Sequence, residues 1–272
     1  MTLDEKIAYI GGYESWYIRP LDRLGLPAVK MVDGPQGVRN NTQSTLYPSG
    51  VAAASTWNRA LIEKMGVALG QDARARGVHI LLGPGVNIYR SPMCGRNFEY
   101  FGEDPYLTGQ MAANYIRGVQ SQDVMACIKH FAGNNQETRR MTCDSVIDER
   151  ALREIYLTSF EKTVKQAQPW TIMNAYNRLN GTYCAENKWL LTDVLRDEWG
   201  FEGMVMTDWW MRSSECPEFP SLHDQAYRVR SSVDVLMPGG KRTGKEKPDG
   251  TLLKTFGKTD GITSGEMQRT AM

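Results

Sequence analysis

Short apolar runs recur along the chain, with longer stretches of helical period between them. The runs AVKMV (28–32), VAAAS (51–55), VHILL (78–82), VMACI (124–128), TIMNA (171–175), GMVMT (203–207) and VDVLM (233–237) are almost continuously apolar rather than alternating. Such runs suit strands that are covered on both faces, as in a parallel sheet flanked by helices. Between them, Asn58 stands where a helix cap belongs and predicts a helix to about Arg76 that stops at Gly77. Residues 106–120 place Leu107, Met111, Tyr115 and Val119 four apart, and residues 148–166 place Leu152, Ile155, Tyr156 and Phe160 on one face. Thr263 and Glu266 have capping-box spacing and predict a last helix. Strand and helix alternate without an internal repeat, the pattern of an α/β domain. Seven candidate strands favour a (β/α)8 TIM-type barrel of parallel strands over an open doubly wound sheet.

Composition narrows the possibilities. The 272 residues suffice for one barrel domain spanning 1–272, and a formal net charge of +1 gives no basic surplus for nucleic acid. No stretch has the apolar length of a membrane span. The N-terminal MTLDEKIAYIGG carries two acids and no apolar signal core, so a cytoplasmic location is expected where this N-terminus is the native one. The cysteines, Cys94, Cys127, Cys143, Cys184 and Cys216, are scattered and form no CxxC pair, so they read as reduced thiols rather than a disulfide framework or zinc site. There is no HxxxH spacing, and neither metal nor organic cofactor is expected. The Gly-Pro-Gly at 83–85 lacks the Lys/Ser pair of a phosphate loop, and the sequons at Asn40 and Asn180 are common by chance. The final helix would begin near Thr263 while the chain stops at Met272, which reads as a domain cut from a longer polypeptide.

The chemistry lies in the residues just past each run. Asp33 stands after the first, Lys129 and His130 after VMACI, Tyr176 after TIMNA, and Asp208 and Trp209 after GMVMT; VHILL leads through the Gly-Pro-Gly turn towards Arg96. In a parallel barrel these strand ends share one face, where barrel enzymes place their active sites. The set suits a sugar. Hydroxyls need partners that both donate and accept, an indole (Trp209 or Trp210) covers the apolar face of a pyranose, and a carboxylate near the anomeric carbon can attack it. Each residue also has a structural reading. Asp208 can cap a helix, Lys129 and His130 can form a surface ion pair, Arg96 can brace its loop through Glu99 or Asp104, and Trp210 can be packing. Glu99, Glu103 and Asp104 are assigned to loop structure, Glu137 and Arg139 to orienting Lys129 and His130, and His79 to the core. Residues 211–231 read as a long loop shaping substrate access, with Glu215 and Glu218 as the only carboxylates to consider as an improvised acid.

DGPQGVR (33–39), GRNFEYFGEDPYL (95–107), KHFAGNNQETR (129–139), MNAYNRLNG (173–181) and GFEGMVMTDWW (200–210) occur in the order found in glycoside hydrolase family 3, and the chain resembles the β-glucosidase branch of that family over nearly its whole length. The resemblance implies that Asp208 is the nucleophile. It also implies that Asp33 holds distal sugar hydroxyls, that Arg96, Lys129 and His130 bind hydroxyls, and that Tyr176 stands beside the nucleophile. Met173 and Trp209 would line the pocket. In β-glucosidases of the family the acid/base is a glutamate on a second domain, which no segment here matches. In the single-domain β-N-acetylglucosaminidases it is a histidine after KHF, where this chain reads AGNNQETRRMTCDS.

The expected function is therefore hydrolysis of terminal β-glucosyl or related sugars with retention, through a glycosyl-enzyme on Asp208, with a second domain as partner. One alternative is a sugar-binding barrel without hydrolysis. Another is a Schiff-base enzyme using Lys129, which leaves Asp208, Trp209 and the ordered motifs without a role.

Overall fold

The computed structural model describes residues 1–39, 43–219, 222, 224–239 and 251–271; the Asn40 sequon lies outside them. Ten strands are present among these residues: β1 Gly12–Tyr13, β2 Tyr17–Ile18, β3 Val29–Asp33, β4 Ile80–Leu82, β5 Met125–Phe131, β6 Asp144–Ser145, β7 Thr171–Asn174, β8 Arg178–Leu179, β9 Thr182–Tyr183 and β10 Met204–Met206. The main sheet runs β1-β2-β3-β4-β5-β7-β10, and β6, β8 and β9 form a separate small sheet. From β3 to β10 the main sheet is parallel.

The result is a curled, barrel-like α/β sheet, and it departs from the expected closed barrel of parallel strands. Its first two strands are an antiparallel hairpin, β1 on β2 and β2 on β3. The hairpin turns where Glu14 and Ser15 take positive φ. Its sequence, GYESWYI, is short and mixed rather than an apolar run, so the pattern gives no strand signal there. VDVLM makes only single bridges, Val235 to Met206 on one side and Leu236 to Gly11 on the other, instead of a ladder. VAAAS is not a strand. Residues Gly50–Ala54 form a helical turn capped by the Ser49 side chain. Three consecutive alanines favour helix, and the missing Cβ of Gly50 lets the turn lie against the Tyr100 carbonyl, 2.5 Å from where that carbon would be.

The expected helices form around their caps. Asn58 accepts from the Leu61 N–H at 3.0 Å and starts Arg59–Ala75, with Gly77 at positive φ just beyond its end. Asp104 caps Pro105–Gln120, and Thr263 with Glu266 closes a capping box on Ser264–Thr270. Helices Arg59–Ala75 and Pro105–Gln120 approach closely because Gly66 faces the Tyr115 carbonyl and Gly118 the Glu63 carbonyl. The third expected helix is broken into Glu149–Ala151, a π-helical turn Leu152–Tyr156 and Thr158–Ala167. The wider turn rotates the face, so Leu152 and Phe160 are buried while Ile155 is exposed.

Strand parity explains both the apolar runs and the site. One set of strand residues, among them Val32, Leu81, Ile128, Ile172 and Val205, packs in the large core with the helices. The alternate set, Met31, Ile80, Leu82, Cys127, Met173 and Met206, packs together in a second core on the other side of the sheet. Two residues beyond Met31, Cys127 and Met206 come Asp33, Lys129 and Asp208, on that same second side.

Candidate active site

Asp33, Arg96, Lys129, His130, Met173, Tyr176, Asp208 and Trp209, all eight residues singled out from the sequence, line one cleft of about 480 Å³ at the carboxyl ends of the strands. The cleft also takes in Trp16, Arg39, Phe98, Glu137, Arg140 and Trp210.

Asp208 is 6% exposed. Its Oδ1 accepts the Trp209 N–H at 2.7 Å, while Oδ2 is buried without a hydrogen-bond partner. Burial pushes the carboxyl above its usual range, and Arg96, the Trp209 N–H, Tyr176 and Lys129 only partly offset this. Burial, together with the Asp208 charge beside it, raises the Tyr176 phenol, which therefore stays protonated. The Tyr176 ring carries the Arg140 guanidinium 4.4 Å from its centre.

The cations Lys129 and Arg96 also line the cleft. Lys129, 2% exposed, donates from Nζ to Asp33 Oδ1 at 3.2 Å and lies 3.6 Å from Glu99 Oε2. Arg96 donates from Nε to Glu99 Oε1 at 2.5 Å. Burial is the largest influence on Lys129 and Arg96 and opposes their positive charges. The surrounding anions together outweigh it, Glu99 first, then Asp33 and Asp208 at Lys129 and Asp208 and Glu137 at Arg96, so both stay charged. Asp33 remains about a third open to the cleft. Burial would raise its carboxyl, yet Lys129 and the nearby arginines bring it below the usual range. It is therefore an ionised acceptor with room for hydroxyls.

His130 is 1% exposed, and burial with Arg96, Lys129 and Arg140 nearby pushes it well below the usual histidine range. The ring is neutral. Its Nδ1 is 3.2 Å from the Tyr100 hydroxyl, and burial raises that phenol so that it keeps its proton. The Tyr100 oxygen already accepts from the Asn134 amide, and assigning its O–H to Nδ1 puts the ring proton on Nε2, 3.8 Å from Asp208 Oδ2.

The structure adds residues to the sequence reading. Arg140 is at the cleft and donates to Glu137 at 2.6 Å, whereas Arg139 is exposed at positive φ. Adjacent arginines on a loop carry no periodicity to say which one faces inward. Trp16 arrives on the unexpected hairpin, its ring 5.0 Å from that of Trp209, and the Trp209 Nε1–H donates to the Ser15 carbonyl at 2.7 Å. Glu186, 1% exposed, accepts from Ser213 and Ser214 and so fastens the segment after Trp210. Glu215 and Glu218 are exposed and do not line the cleft. His79 is exposed rather than in the core, its Nδ1 accepting the Lys30 N–H at 2.9 Å. Among the described residues no group of His, Cys, Asp and Glu is arranged to hold a metal ion, and no helix is long and apolar enough to cross a membrane.

Comparison with known proteins bears on this cleft. The family model described as "Glycosyl hydrolase family 3 N terminal domain" matches residues 17–253. The chain is 54% identical to thermostable beta-glucosidase B of Acetivibrio thermocellus over 250 residues, 88% of this chain and 32% of that protein. It is 48% identical to an exo-alpha-(1->6)-L-arabinopyranosidase of Bifidobacterium longum over 251 residues, 88% of this chain and 32% of that protein. Beta-glucosidase 3B of Thermotoga neapolitana, solved in complex with glucose, superposes with a TM-score of 0.87 at 41% identity, covering 100% of this chain and 40% of that one. The chain thus spans about a third of the length of these curated relatives.

Proposed function

Since the chain belongs to glycosyl hydrolase family 3, we propose that it is the nucleophile-bearing part of a retaining β-glucosidase-type enzyme, with Asp208 as the nucleophile. The observation that carries this reading is the state of Asp208, a buried carboxylate with one oxygen fixed by a backbone N–H and the other without a partner, inside a cleft walled by cations and indoles.

The chemistry comes from the geometry. A terminal glucosyl unit, or a related pyranose, stacks against Trp209. Its hydroxyls are held by Asp33, by the free donors of Lys129 and Arg96, and by the Nε2–H of His130. Met173 and Tyr176 complete the wall. An Asp208 oxygen bonds to the anomeric carbon as the bond to the leaving oxygen breaks. The departing electron pair takes a proton from an acid, and water then displaces Asp208 with the same acid acting as base. Hydroxyl contacts that tighten as the sugar flattens and gains positive charge stabilise the transition state. No step calls for a metal or cofactor.

The acid belongs to a second domain, and the cleft itself supports this. Its other carboxylates are committed, Asp33 to Lys129 and Glu137 to Arg140 and Asn134. The same fact favours a second reading, in which the chain alone binds sugar without turning it over.

The discriminating reagent is a 2-deoxy-2-fluoro-β-glucoside with dinitrophenolate as leaving group, which needs no proton. Intact mass spectrometry of the treated chain should show one fluoroglucosyl unit, mapped to Asp208. A folded chain that binds glucose but gains no mass would sink the nucleophile assignment for this chain and leave the binding reading.

A further inference from the structure

Glu99 takes no direct part in the chemistry of the cleft. It does not line the cavity, and its sequence position suggests nothing beyond loop structure. Yet it is 3% exposed and touches both cations of the sugar-binding wall, Arg96 Nε at 2.5 Å through Oε1 and Lys129 Nζ at 3.6 Å through Oε2. One carboxylate thus bridges two residues that arrive on different elements, Arg96 on the loop after β4 and Lys129 on the strand β5.

We propose that Glu99 is a positioning residue for catalysis, a buried anion that holds Arg96 and Lys129 side by side on one wall of the cleft, each with its remaining donors free for sugar hydroxyls. The inference rests on the reading of the cleft as a glycosidase site.

The physical argument has two parts. A buried and a largely buried cation facing one small cleft repel each other and are costly to desolvate, and a carboxylate between them reduces both costs. Glu99 also decides which donors are used. It occupies Nε of Arg96, which leaves the two terminal NH2 groups of the guanidinium fork for ligand. Lys129 Nζ spends one donor on Asp33 and approaches Glu99 beyond hydrogen-bond distance, so it keeps donors for the substrate. Removing the negative charge would leave Arg96 without its carboxylate partner and Lys129 with Asp33 alone, so the positive charge near Asp208 would be less compensated. The charged and titratable groups facing Asp208 are Arg96, Lys129, Tyr176, Cys127 and His130, the last two being neutral, and Asp33, Arg39, Glu137 and Arg140 line the same cleft. A stronger net positive field there lowers the pH at which Asp208 ionises. The loss of charge in Glu99→Gln moves the titration, whereas the positioning role shows in Glu99→Asp as slower labelling, because there the charge is kept and only its reach changes.

The test compares wild-type protein with Glu99→Gln and Glu99→Asp by carbon-13 NMR titration of the Asp208 carboxyl, assigned through Asp208→Asn, and by the rate of fluoroglucoside labelling. In Glu99→Gln the Asp208 titration should move down by about half a pH unit or more. Labelling should slow by about tenfold to a hundredfold as the cations shift. In Glu99→Asp the titration should stay at the wild-type position while labelling slows, because the charge remains but its reach is shorter. A folded Glu99→Gln variant whose Asp208 titrates as in wild type would overturn the proposal. Should Glu99→Gln fail to fold, Glu99→Asp decides alone, and wild-type titration with wild-type labelling would remove the positioning role. Should the wild-type chain not label at all, the glycosidase reading fails, whereas the titration, which needs no reaction, still judges Glu99.

Discussion

Two buried aspartates at opposite ends of the same sheet show how differently a carboxylate can be used. Asp234 and Asp208 are 8% and 6% exposed, and burial pushes both above the usual range. Asp234 lies by the amino end of β10, where its Oδ2 accepts from Arg196 at 2.6 Å and from the Val205 N–H at 2.7 Å. Asp208 lies past the carboxyl end of the same strand with Oδ2 unpartnered, and the nearby nitrogen His130 Nε2 belongs to a neutral ring 3.8 Å away. The first is a structural anchor whose Oδ2 is hydrogen-bonded within the fold, although burial still outweighs its partners. The second keeps one oxygen without a hydrogen bond and a charge only partly offset by its neighbours, and a fold tolerates that cost where the group has other work.

The comparison breaks most clearly under amide substitution. Asp208→Asn should abolish fluoroglucoside labelling, by at least about a thousandfold, and leave the chain as stable or more so at neutral pH. The sign comes from linkage. The folded-state pKa is raised, so the fold favours the protonated form. The stability this confers is fully present below the unfolded value, near 3.8, and is lost as pH rises through the raised one. The uncharged amide removes that loss, and the melting temperature should flatten across the same window. In the wild type, labelling needs the carboxylate, so its rate should fall with decreasing pH at a midpoint above 3.8. A midpoint at or below 3.8 would contradict the described burial.

Asp234→Ala should do the reverse. It removes the carboxylate partner of Arg196, of whose side chain 19% is exposed and which keeps the Gly203 and Ser232 carbonyls, and it removes the acceptor of the Val205 N–H. A loss of about 2–3 kcal/mol is expected in chemical denaturation, with labelling unchanged within about twofold. If Asp234→Ala instead abolished labelling in a folded chain, the two ends of the sheet would be coupled and the division between anchor and nucleophile would not hold.

How much of this is legible in the residues tracks the same division. Asp33, Lys129 and Asp208 are readable because each ends an apolar run, and a parallel sheet turns strand ends into one surface. The capped helices are readable because a cap is local, two or three residues deciding the outcome. The hairpin bringing Trp16 is not, since Gly12–Ile18 pair through the backbone and carry no apolar alternation. VAAAS misleads because small apolar residues fit a buried strand and a short helix equally, and only the contact of Gly50 with Tyr100 settles it. Arg140 and Glu99 are out of reach for another reason. Their importance comes from partners in space, Tyr176 for one and Lys129 for the other, and nothing in the spacing of a loop fixes such partners.

The smallest expected effect tests how the neutral histidine beside Asp208 is kept in the useful tautomer. Tyr100 is buried, donates to His130 Nδ1 and accepts from the Asn134 amide at 3.3 Å. Phenylalanine at position 100 keeps the ring but leaves Nδ1 without a donor, and the imidazole proton is then free to move to Nδ1. Asn134 keeps its bond to Glu137 at 3.1 Å, so the surrounding loop should hold. The stability loss in Tyr100→Phe should be about 1 kcal/mol. Labelling should slow by roughly tenfold, since the Nε2–H that meets a sugar hydroxyl is no longer guaranteed. Nitrogen-15 NMR of His130 should show the proton on Nε2 in the wild type and a share of it on Nδ1 in the variant. Slower labelling with the tautomer unchanged would assign Tyr100 to packing alone. An unchanged rate with an altered tautomer would mean that His130 contributes shape to the cleft rather than a hydrogen bond.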